Sequence, residues 1–248
     1  MKRGGALWAA KVGGAVRGVA VDCGVVTMEQ RSLNRPELTI IDPACGDGEL
    51  LVAVARSLKD AGYLGILKLI GYDIDAAAVE QARARLRDVN RDAQVIQGDF
   101  LLHQRELPTH SVDIIITNPP YVRTQNLGHE MAQLLAEEFH LTGRVDLTHP
   151  FVAASSRLLT AHGTLGLLCS NRFLTTLAGE NIRRTFMAGD LHIAELYDLG
   201  DTKLFQAAVL PAIVIATRTA LRREPPRFVS AYHTPTSTST TDLGLFDA

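Results

Sequence analysis

The chain is poor in cysteine. Its 248 residues hold three, Cys23, Cys45 and Cys169, with no pair at metal-ligand or redox spacing. An odd, scattered set excludes a disulfide framework and points to a reducing cytoplasm. An excess of charge of one sign is lacking too. Twenty-five Lys and Arg stand against 27 Asp and Glu, a formal net charge of -2. That balance excludes a protein that coats a polyanion unaided, so a nucleic-acid substrate would need a local basic patch or a partner. No apolar run approaches bilayer-spanning length. Met1 to Val21 is rich in Gly, Ala and Val behind Lys2 and Arg3, but Lys11 and Arg17 interrupt it and no clean cleavage pattern follows. It is not read as an export signal. The histidines form no cluster, so no metal is expected, and there is no internal repeat.

What is present is an alternation of strand-like and helix-like segments from about residue 38. Leu38–Asp42, Ile66–Tyr72, Gln94–Gln97, Val112–Thr117, Leu165–Ser170, Ile193–Asp198 and Val209–Thr217 read as strands. Glu49–Lys59, Asp75–Val89, Gly128–Phe139, Leu147–Leu159 and Gly179–Met187 read as helices, with Asp75 as an N-cap. Val112–Thr117 is apolar on both faces, as a central parallel strand covered by helices must be. Repeated strand–helix units predict an α/β fold: a doubly wound, mostly parallel, seven-stranded Rossmann-like sheet with helices on both faces. The Ser/Thr-rich end, residues 221–248, reads as a flexible tail.

In such a sheet, ligands sit beyond the carboxyl ends of the strands. The first strand ends at Asp42 and runs into Pro43-Ala44-Cys45-Gly46-Asp47-Gly48, a turn that brings backbone close to a ligand. The second ends Asp73-Ile74-Asp75, where Asp73 can accept from ribose hydroxyls and Asp75 reads as a helix cap. The third ends Gly98-Asp99-Phe100. Asp99 can accept from an adenine amino group, and Ile74 and Phe100 can sandwich its ring. A carboxylate-lined cradle, with Asp47 beside the turn, suits a cationic cofactor such as S-adenosylmethionine better than a pyrophosphate.

The fourth strand leads directly into Asn118-Pro119-Pro120-Tyr121. A ring-conjugated amine is a poor nucleophile because its lone pair is delocalised. Two acceptors, the Asn118 side-chain oxygen and the Pro119 carbonyl, can bind its hydrogens and turn its lone pair toward a methyl donor. The prolines hold those acceptors rigidly. Tyr121 offers a flat face for a planar substrate.

These residues together resemble the gamma-class, TaqI-like DNA adenine-N6 methyltransferases of restriction-modification systems. The resemblance spans roughly residues 38–217. It includes Tyr121-Val122-Arg123, Asp146-Leu147 with Phe151, Gly163–Gly166 leading to Asn171-Arg172-Phe173-Leu174, and Leu204-Phe205 before Pro211–Ala216. It implies methyl transfer from S-adenosylmethionine to adenine N6 in DNA. Asn118, Pro119, Pro120 and Tyr121 would be catalytic, and Tyr121 and Phe205 would stack on a flipped base. Asp42, Pro43, Ala44, Cys45, Gly46, Gly48, Asp73, Ile74, Asp99 and Phe100 would bind the cofactor, with Asn118 meeting both substrates. Arg123 and Arg172 flank the catalytic side and are candidates for nucleic-acid contact, and His149 for facing the site. Arg183 and Arg184 read as a solvated helix face.

The sequence departs from that family in two places. Gly24–Met28 matches only faintly the segment that closes over the cofactor, which leaves residues 1–37 as a separate N-terminal segment before a 38–220 methyltransferase domain. No target-recognition domain follows the last motif, so a separate recognition subunit or domain is expected. Methylation of a protein glutamine amide or of ribosomal-RNA guanine N2, and a non-catalytic fragment, are the alternatives.

Overall fold

A computed structural model describes residues 35–122, 129–139, 146–189, 191–200, 210–218 and 225–230. The elements in chain order are β1 (Glu37–Asp42), α1 (Glu49–Asp60), β2 (Ile66–Asp73), α2 (Ala76–Arg87), β3 (Gln94–Gln97), α3 (Phe100–His103), β4 (Val112–Thr117), α4 (His129–Glu138), α5 (Thr148–Leu158), β5 (Leu159–Ser170), α6 (Glu180–Ala188), β6 (Leu191–Asp198), β7 (Pro211–Arg218) and β8 (Arg227–Ser230).

The strands form one sheet in the order β3-β2-β1-β4-β5-β7-β6-β8. The pairings from β3 to β5 are all parallel, and β7 runs antiparallel to both its neighbours. The chain winds outward from β1 to β3 and then restarts at β4 on the other side of β1. The β1–β4 boundary is therefore the point where strand order reverses, the place where open α/β sheets bind ligands. In register, Ile40 faces Ile114 and Ile41 faces Ile115. Asp42 and Thr117, the last residues of the two strands, thus sit close together at that boundary.

All six residues of β4 are buried, because both faces are covered. Ile114 and Ile116 join Leu38, Ile40, Leu51, Leu58, Val79 and Leu86 on the α1–α2 face. Ile115 and Ile41 join Phe100, Leu135, Phe151, Leu158, Ile182 and Phe186 on the face carrying α3 to α6. Side chains of a strand alternate, so one apolar run feeds two cores.

The sheet has eight strands where seven were expected. The additional strand, β8, lies in the expected tail and pairs in parallel with β6 at the sheet edge. Arg227-Phe228-Val229-Ser230 is short and follows Pro225-Pro226, so its apolar pattern is too brief to register as a strand. No helix among the described residues is long and apolar enough to cross a membrane.

Candidate active site

The loop after β1 is built by backbone hydrogen bonds and two left-handed glycines. Cys45 N donates to the Tyr72 carbonyl at 2.8 Å, and Gly48 N to the Cys45 carbonyl at 2.8 Å. Gly46 and Gly48 have φ of 52° and 81°. A Cβ on Gly48 would stand 3.1 Å from the Ala82 Cβ, so glycine there also lets α1 start hard against α2.

Asp73 ties this loop to β2. Its Oδ2 accepts from Gly46 N at 2.8 Å and its Oδ1 from Asp75 N at 2.9 Å. Each oxygen keeps a second acceptor position, so Asp73 can still take a hydroxyl. Asp75 caps α2 by accepting from Ala77 N. Ile74 is 73% exposed at the tip of β2. Asp99 uses Oδ1 to accept from Leu101 N at the start of α3, which leaves Oδ2.

Asp42 is completely buried. Its Oδ1 accepts from Ala44 N, and the buried Thr117 hydroxyl beside the carboxyl offsets part of the cost of burying it. Burial pushes this carboxyl up to about 8, and the neighbouring Asp73 carboxylate raises it further than burial alone. Asp42 therefore shapes the loop and its field from beneath. The sequence reading placed it at the cofactor, and it stands at the floor of that loop with no exposed surface of its own. Phe100 is buried as well. Its ring stacks on Phe151 at 5.9 Å and meets Tyr72 edge-on at 5.4 Å, and it is 2% exposed. The core claims most of it, and of the two side chains Ile74 keeps the exposed apolar surface. Asp47 pairs with Arg85 on α2, so its charge is partly compensated and argues less against a pyrophosphate.

The remaining set fits a cationic, nucleoside-bearing cofactor. Asp73 and Asp99 supply acceptors at adjacent strand tips, Pro43 to Gly48 a backbone cradle, and Ile74 an apolar face. Both described thiols are buried. Burial pushes Cys45 and Cys169 well above the usual thiol range, with nearby carboxylates adding to it. Among the described residues, no three His, Cys, Asp or Glu side chains gather to hold a metal.

Across the β1–β4 boundary stand Asn118, half-buried, Pro119, buried, and Pro120, exposed. Tyr121 is 38% exposed, and its hydroxyl donates to Asn118 Oδ1 at 2.9 Å. Val122 N donates to the Pro120 carbonyl, closing the turn, and Leu147 N donates to the Val122 carbonyl at 3.0 Å. The loop is thereby tied to the start of α5. There Asp146 Oδ1 accepts from both the backbone and the hydroxyl of Thr148. A cavity of about 300 Å³ opens beside it, lined by Asp146, Cys169, Ser170, Arg172, Phe173 and Ile182 among others. Tyr121 lies within electrostatic reach of two of these, Asp146 and Cys169.

Asp146-Leu147 stood out in the sequence only through the family resemblance, which did not report its tie to Val122, and the Thr117 hydroxyl carried no signal of its own. His149 is buried, and its Nε2 lies 3.2 Å from the Thr185 hydroxyl on α6. It packs α5 against α6. Arg183 donates to the Phe173 and Thr176 carbonyls, so it braces the segment after β5. Arg184 pairs with Glu180 on the helix surface. Arg172 is exposed at the cavity rim. Phe205 and Arg123 lie outside the described residues.

Comparison with known proteins adds a family. The Eco57I restriction-modification methylase family matches residues 87–205, and the RMKL-like methyltransferase domain matches residues 26–144. The type II methyltransferase M.BanIII of Aneurinibacillus aneurinilyticus is 40% identical over 220 residues, covering 83% of this chain and 38% of its own length. The chain thus spans under two fifths of that relative. A protein of Listeria monocytogenes assigned to the class I S-adenosylmethionine-dependent methyltransferases has a similar fold. Its TM-score is 0.67 at 21% identity, over 89% of this chain and 64% of that one. The methyltransferase subunit of a type I restriction-modification system from Streptococcus thermophilus superimposes with a TM-score of 0.62 at 17% identity, over 82% and 45% of the two chains.

Proposed function

This chain is a relative of the restriction-modification methyltransferases, and from that premise we propose that it transfers a methyl group from S-adenosylmethionine to adenine N6 in DNA. One observation carries the reading. The Asn118–Tyr121 loop and the Asp42–Gly48 loop meet at the point where strand order reverses, so a methyl donor in one faces an amine held by the other.

The cofactor supplies a methyl group on a positively charged sulfur. Asp73 and Asp99 would accept hydrogen bonds from it, the 43–48 backbone would cradle it, and Ile74 would cover its ring. Asn118 Oδ1 and the Pro119 carbonyl accept the two hydrogens of the target amine. The nitrogen lone pair would then be turned out of the ring toward the methyl group that the cofactor would supply, the sulfur leaving with the electrons of its bond to that methyl. The nitrogen sheds one proton to water. The residues work mainly by placement, which carries most of the gain for an in-line displacement. The ring of Tyr121 stacks on the extruded base, a position Phe205 would share. In this reading, a recognition subunit or domain outside the methyltransferase fold would read the duplex sequence.

The test is incorporation of labelled methyl. The chain, alone and with candidate recognition partners, is incubated with labelled S-adenosylmethionine and unmethylated DNA, and the digested nucleosides are separated. Label in N6-methyladenine is expected, with Asn118→Ala reducing it by about 100-fold or more. Label in RNA guanine or in protein instead would replace this reading with one of the alternatives.

A further inference from the structure

Asn118 poses a problem that its position alone does not solve. A side-chain amide has the same shape when its oxygen and nitrogen are exchanged by a half-turn. With Oδ1 toward the target, it accepts an amine hydrogen. With the NH2 group toward the target, it sets donors against donors and the site is dead. Some group must hold the amide the right way round.

Among the described residues, the hydrogen-bond partner of the Asn118 side chain is Tyr121, whose hydroxyl donates to Oδ1 at 2.9 Å. The backbone enforces that meeting. Pro119 and Pro120 fix φ, and the Val122-to-Pro120 bond folds the chain so that Tyr121 returns over Asn118. The Leu147-to-Val122 bond then pins the turn to α5. A phenol is a strong donor and a weak acceptor, because its oxygen lone pair is delocalised into the ring. It favours contact with Oδ1 over contact with the amide nitrogen. A carbonyl oxygen has two acceptor positions, so one remains for the target amine.

We infer that the Tyr121 hydroxyl is a positioning group that sets the orientation of the Asn118 amide, a role separate from stacking of the Tyr121 ring. This rests on the amino-methylation reading above, and it divides one side chain into two functions. The ring meets the base, and the hydroxyl acts through Asn118.

Tyr121→Phe keeps the ring and deletes the hydroxyl. It should lower kcat/KM for DNA by about threefold to tenfold, the span of one ordinary hydrogen bond, with KM for S-adenosylmethionine unchanged. Asn118→Asp provides the control, because a carboxylate has no wrong orientation. In that background Tyr121→Phe should cost less than twofold. An equal loss in both backgrounds would mean that the hydroxyl touches substrate directly, and no loss in the Asn118 background would mean that only the ring matters. Either result overturns the inference.

A substrate-free measurement keeps the test independent of the activity. In ¹⁵N-labelled protein without DNA, the Asn118 side-chain amide should give one sharp pair of resonances, which shift and broaden in Tyr121→Phe. Unchanged resonances would overturn the inference even if Asn118→Asp proves inactive. Failure to methylate DNA, with the resonance change intact, would instead count against the DNA reading alone.

Discussion

At the scale of single residues, two buried titratable groups leave opposite marks on stability. The Asp42 carboxyl is raised to about 8 by burial, so the folded protein holds a proton that the unfolded chain releases near the ordinary value of 3.8. Between those values the unfolded state binds fewer protons, and stability falls as pH rises. Asp42→Asn should therefore melt higher than the parent at pH 8 by on the order of 1 kcal/mol or more, about 2–4 °C, with the gap closing toward pH 4. Thermal melts across that range check it. The reverse holds for His149, which burial lowers to about 4. Below pH 6.5 the unfolded chain takes up a proton that the folded protein refuses, so stability falls as pH drops from about 6.5 toward 4. His149→Gln keeps a group able to bond Thr185 and should flatten that limb, as read by denaturant unfolding at pH 7 and pH 4.5.

At the scale of elements, the site depends on how helices begin. Gly48 starts α1 with φ of 81° and with α2 a van der Waals contact away. Gly48→Ala adds both backbone strain and a clash with Ala82. It should cost about 1–3 kcal/mol in stability, with weaker cofactor binding by calorimetry as the loop shifts. At α5, Asp146 accepts from Thr148 N in the turn whose next residue, Leu147, holds the Val122 carbonyl. Asp146→Ala should cost about 1 kcal/mol in an unfolding titration, as loss of a helix-start acceptor does. Because that turn anchors the catalytic loop and not the cofactor loop, methyl transfer should fall while cofactor affinity stays.

At the scale of the whole molecule, charge limits what the chain can do unaided. A net charge of -2 supplies little counterion release on a polyanion. The isolated chain should bind duplex DNA no more tightly than about 1 μM at 0.15 M salt. Anisotropy titrations at several salt concentrations measure this. Addition of a recognition partner should tighten binding and steepen the salt dependence, while affinity for S-adenosylmethionine barely changes.

Much of this architecture was legible in the order of residues. Strand and helix positions follow from local periodicity. The strand ends at Asp42, Asp73, Gln97 and Thr117 stand where apolar runs stop and polar or glycine-containing loops begin. A buried β4 was readable from its apolar residues on both faces, Asp113 apart, and the Asn118–Tyr121 motif from its place directly after it. What the tertiary structure decided is which side chains remain free for chemistry. Asp42 and Phe100 stand at the right positions in the chain, yet one is sealed beneath its loop and the other is held between Tyr72 and Phe151. Burial depends on elements far away in sequence, so no local pattern reports it. The same reason hid β8, which becomes a strand by pairing with β6, and His149, whose neutrality comes from the packing of α5 on α6. It also hid the bond between Tyr121 and Asn118. Their spacing of three was visible, but the return of one onto the other required the turn that the prolines and α5 hold in place.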